Sequence, residues 1–95
     1  MDLKSCLKSL LRSARRYHFA SMQDKNPVVA ARHNGYAVAL IDAVVDIAPP
    51  EVVKSATGED ARKLRAEILA VQDAMESKVM DIVKSLEAKG IKLPF

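Results

Sequence analysis

Bases recur down one side of the N-terminal segment: Lys4, Lys8, Arg12 and the pair Arg15-Arg16, at spacings of four, four and three to four residues. On a helix that spacing makes one face. No acid lies between Lys4 and Met22, and Tyr17, His18 and Phe19 close the stretch. Such a stripe can contact phosphate backbone, where each base displaces counterions and makes binding salt-sensitive. It can also lie on an anionic membrane surface. The plainest reading is a solvated face, with Tyr17 packed in the core and Phe19 at the helix end. The charge is concentrated here. Residues 1–35 carry seven bases against two acids and residues 36–95 carry eight against ten, within a formal net charge of +3.

Other reactive residue types are scattered. His18 and His33 are the two histidines, and neither has another His or an acid three or four residues away. Asp42 lies nine residues from His33, which on a helix is the opposite side. Asp42 and Asp46 share a face, but two carboxylates alone make a weak metal site. They read better as the solvent edge of a helix or as partners for Arg32 or the bases of the first helix. In a bolder form they fix register in an oligomer interface. Cys6 is the single cysteine, so no intramolecular disulfide can form, and a reducing, cytoplasmic setting is the simple expectation. Its neighbours Leu3, Leu7 and Leu10 mark it as a small core hydrophobe.

Catalysis fits poorly. Ser5, Ser9 and Ser13 are evenly spaced but have no base to activate them, and there is no Gly-rich phosphate loop or nucleophile elbow. We expect no enzyme activity, no cofactor and no metal. Residues 50–68 have a helix–Gly–helix outline that would offer Arg62, Lys63 and Arg65 to DNA. Glu59, Asp60 and Glu67 oppose that use, and any helical hairpin has the same outline.

Elements must position these residues. The 95-residue length sets one domain, residues 1–95, and 4% aromatic content favours an Ala- and Leu-rich helical core. The first helix is expected over about Leu3–Met22, burying Leu3, Leu7, Leu10, Ala14 and Tyr17. Residues 1–22, rich in Arg and Ser, also share the composition of a transit peptide. Asn26 and Pro27 announce a second helix, as N-cap and first residue.

Asn34-Gly35 then falls inside an apolar run. Asn-Gly is a strong hairpin signal. Yet Tyr36, Leu40, Val44 and Ile47 continue a helical period, while Arg32, Gly35, Ala39, Asp42 and Asp46 trace the opposite side. We read one helix from Pro27 to about Ala48, with another backbone close to Gly35 and Ala39, or a kink there. The hairpin is the alternative. The helix is apolar nearly all round, as a surrounded central element is. No run of about 18 apolar residues suggests a membrane span.

Pro49-Pro50 stops that helix, and Glu51–Ala56 reads as a short helical turn. Thr57 is the expected N-cap of the last helix, with Asp60 in the capping-box position and Gly90 at its C-terminal end. Leu64, Ile68 and Val71 recur eleven residues later as Met75, Val79 and Ile82, and Leu86 follows. An eleven-residue repeat keeps a stripe nearly straight along a helix. A helix of this span is about 48 Å long, against about 30 Å for the other two. It overhangs its own bundle by roughly 15 Å. A second copy of the chain is the simplest cover. The apolar tail, with Leu93 and Phe95, is expected to dock within the assembly or on a partner.

The expectation is therefore an all-α bundle of two helices of about 20 residues, a short turn and one long C-terminal helix, completed by oligomerisation, a dimer being favoured. Its role is structural or protein-binding. The interface is Leu64, Ile68, Val71, Met75, Val79, Ile82, Leu86, Leu93 and Phe95. The alternative is a nucleic-acid-binding accessory or regulatory protein contacting phosphate through Lys4, Lys8, Arg12, Arg15 and Arg16.

Overall fold

A computed structural model describes residues 2–92; Leu93 and Phe95 of the expected interface lie outside the described residues. Among these, 86% are helical, in four helices and no strand. They are α1 (Leu3–Gln23), α2 (Pro27–Ile47), α3 (Pro50–Thr57) and α4 (Ala61–Ala88).

Local chemistry sets each boundary. The Asp2 carboxylate caps α1 by accepting from the Ser5 N–H at 2.7 Å. That bond, then the Ser5 hydroxyl, and Lys4 beside it hold the Asp2 carboxyl below its usual range. Asn26 accepts from the N–H groups of Val28 and Val29, with Pro27 as the first helical residue. Asp60, not Thr57, caps α4, accepting from the Lys63 N–H. Thr57 ends α3 instead, its hydroxyl donating to the Val53 carbonyl, and Gly58 follows at φ 77° to turn the chain. So α4 has 28 residues and starts after the Gly58 turn rather than within it. Its C-terminal end is as read: Gly90 has φ 80°, and the Ile91 N–H bonds back to the Leu86 carbonyl.

The hairpin is excluded, because Asn34 and Gly35 lie mid-helix in α2. The proposed close approach is not there either. A Cβ on Gly35 would meet only Gln72 Nε2, at 4.0 Å, and Ala39 is exposed. Nothing in the structure explains a glycine at that position.

The helix α2 packs along both α1 and α4, while α1 and α4 make hardly any backbone contact with each other. The core comprises Leu7, Leu11 and Ala14 from α1, Ala37, Ile41 and Val44 from α2, Val53 from α3, and Ala61, Leu64 and Ile68 from α4, with Ala48 between α2 and α3. Full burial of a side chain such as Leu7, Ile41 or Ile68 stabilises by about 1.5–3 kcal/mol.

Two buried faces differ from the expected ones. In α1 the buried set is Leu7, Leu11, Ala14, His18 and Ser21, so Leu3 and Tyr17 face outward. In α2 it is Ala30, Asn34, Ala37, Ile41 and Val44, which leaves Tyr36 and Ile47 exposed. Small residues on that face let both neighbours approach. By length and composition α2 is also apolar enough to cross a membrane, at a mean hydropathy of 1.2. Packing between α1 and α4 buries 28% of that apolar stretch.

The molecule measures 53 × 21 × 18 Å. The 21-residue helices α1 and α2 are about 32 Å long, so roughly 20 Å of the long dimension is α4 alone.

Candidate interaction surface

The surface starts from one buried amide. The Asn34 Nδ2 donates to the Ile68 carbonyl at 2.9 Å and to Gln72 Oε1 at 3.0 Å. A carbonyl only accepts, so the amide orientation is fixed, and Asn34 Oδ1 must face His18 Nδ1, 2.8 Å away. His18 therefore carries a proton on Nδ1 and donates it. The Ser21 hydroxyl donates to the His18 backbone carbonyl at 2.6 Å and lies 3.4 Å from Asn34 Oδ1. No buried side-chain nitrogen or oxygen lacks a partner among the described residues. One polar cluster thus ties α1, α2 and α4 at a single level and sets how α4 leaves the bundle.

Beside this cluster, α1 and α4 are separated by a groove of about 610 Å³. Arg15, His18, Phe19 and Met22 form one wall; Leu64, Glu67, Ala70 and Val71 form the other. Phe19 is 56% exposed and Met22 51%, high values for large apolar side chains on the inner edge of a bundle.

The α4 stripe divides into two parts. Leu64 and Ile68 belong to the chain's own core, which takes Ile68 and all but the groove-lining edge of Leu64 out of the expected partner surface. Their exclusion follows from the cluster, which docks α4 against α2 at residues 68–72. Beyond it Val71, Met75, Val79 and Leu86 are only half-buried, and Ile82 is 40% exposed. The stripe continues out of the bundle past the ends of α1 and α2.

The basic stripe is solvent-facing: Lys4, Lys8, Arg12, Arg15 and Arg16 are all exposed. Arg15 pairs with Glu59 of the α3–α4 connection, the acid that sequence spacing alone could not assign to it. Lys8, Arg12 and Arg15 flank a shallow hollow of about 300 Å³ floored by Leu11 and closed by Thr57 and Glu59. Lys4, Lys8, Arg12 and Arg16 have no ion-pair partner among the described residues.

Asp42 pairs with Arg65 at 2.8 Å, not with Arg32 or α1. That pair occupies one of the three bases of the helix-turn-helix reading. His33 Nδ1 lies 2.6 Å from Asp24 Oδ2, across the α1–α2 turn. Their nine-residue separation hid this contact, since only the hairpin of helices brings them together. Cys6 is half-buried, and no group of three metal-ligating side chains converges among the described residues. Comparison with protein-family models, curated proteins and solved structures finds no match to this chain.

Proposed function

We propose that this protein is a non-enzymatic, self-assembling helical module that serves as a structural or protein-interaction part. The observation that carries the reading is the overhang of α4. Its apolar side chains leave the bundle on one face and find no cover among the described residues. An uncovered apolar face of this length is what a protein–protein interface supplies.

Ile82 tests it, because it is exposed and makes no part of the core. Ile82→Asp leaves the helical circular-dichroism signal and folding of the isolated chain intact and abolishes assembly. Assembly that survives Ile82→Asp refutes the reading.

A second reading rests on Lys4, Lys8, Arg12 and Arg16, four exposed bases on one helix without acid partners among the described residues. In it α1 contacts nucleic-acid phosphate. Binding would then fall by about tenfold or more between low and moderate salt. Changing Arg12 and Arg16 to Glu would remove it while the mass of the assembly stays the same. Nucleic-acid affinity unmoved by both changes eliminates this reading.

A further inference from the structure

We propose that the overhang of α4 pairs antiparallel with the overhang of a second copy, and that each tip enters the other's groove between α1 and α4. The inference rests on the self-assembly reading and specifies its partner and geometry.

The direction follows from where the bundle stands. Leu64 and Ile68 face α1 and α2, and Met75, Val79, Ile82 and Leu86 continue the same stripe. A second helix laid on that stripe in parallel would carry its own α1 and α2 into the space of the first copy's. Laid antiparallel, the two bundles stand at opposite ends. The contact is then isologous and closes as a dimer.

The register follows from the apolar pattern. Antiparallel helices interleave their stripes when Met75 meets the partner's Leu86 and Val79 meets the partner's Ile82. In this register Ile91, which is 47% exposed, falls level with the partner's Ala70 and Val71, at the groove. Phe19 and Met22 wait there exposed on the facing wall. A fourth helix in the groove turns an open three-helix layout into a four-helix one, with α1 and the partner's α4 in contact. Charge agrees. Lys78 lies two residues, about 3 Å, from level with the partner's Asp81, and this pair occurs twice by symmetry. Glu67 on the groove wall meets a tip carrying Lys89 and Lys92. A parallel, in-register pair would oppose Lys89 to its own copy.

Cysteine cross-linking tests the geometry. In a Cys6→Ser background, chains carrying Met75→Cys and chains carrying Leu86→Cys are oxidised separately and mixed. The mixture gives a disulfide-linked dimer and each variant alone gives none, because the two copies of residue 75 lie about 16 Å apart along the pair. A Met75→Cys chain that links to itself, or a native mass of two copies without the mixed link, overturns the antiparallel register but leaves self-assembly standing. A single-copy mass overturns both. The groove is tested by Phe19→Glu, which alters a side chain outside the core. It weakens dimerisation by about tenfold or more, and an unchanged dissociation constant overturns the groove contact.

Discussion

Replacing Asn34 with alanine removes its hydrogen bonds to His18, Ile68 and Gln72 and leaves the buried His18 Nδ1–H without an acceptor. Loss of a buried pairing with one partner stranded costs about 2–3 kcal/mol. Urea unfolding of Asn34→Ala should show that loss. A change below about 0.5 kcal/mol would mean that the cluster does not hold the helices in register. The sequence offered Asn34 as a polar interruption inside an apolar helix, or as a hairpin turn, and in neither case with a partner. Its donors and acceptors find partners 16 residues back and 34 and 38 residues ahead. No local pattern encodes such distances. His18 was obscured in the same way, standing beside Tyr17, a larger apolar candidate for the core.

At the scale of elements, the cap of α2 was legible, the cap of α4 was assigned to Thr57 instead of Asp60, and the buried faces of α1 and α2 were not legible. Asn26 was readable as an N-cap because the signal is local: a side-chain oxygen, then Pro27, then an apolar run. Asn26→Ala is expected to lower stability by about 1 kcal/mol, seen as a shift in the urea midpoint with an unchanged slope. An unchanged midpoint would show that the α1–α2 turn is held by other contacts, the Asp24–His33 pair first among them. The buried face of α2 was not readable, since a helix apolar all round has no contrast for periodicity to detect. The Thr57-Gly58-Glu59-Asp60 stretch presents two capping side chains, and the left-handed backbone at Gly58 decides between them. Thr57 falls to α3 and Asp60 to α4. The α4 stripe was legible throughout because charged residues separate its apolar positions, yet only docking on α2 tells which of them the chain buries itself.

At the scale of the whole molecule, the length mismatch between α4 and its neighbours is the feature that asks for a partner. It was visible in the sequence as helix lengths and is measured in the structure as the 53 Å long axis. The open groove was not visible there, because the near-absence of backbone contact between α1 and α4 is a consequence of both packing on α2. In the proposed dimer the overhang of each copy fills the groove of the other. The most direct test is native mass by sedimentation from nanomolar to high micromolar protein, on material purified at low salt. The account predicts a rise from 10.4 kDa to twice that mass, with a melting temperature that climbs with concentration. A mass of 10.4 kDa at every concentration, with a constant melting temperature, would contradict it.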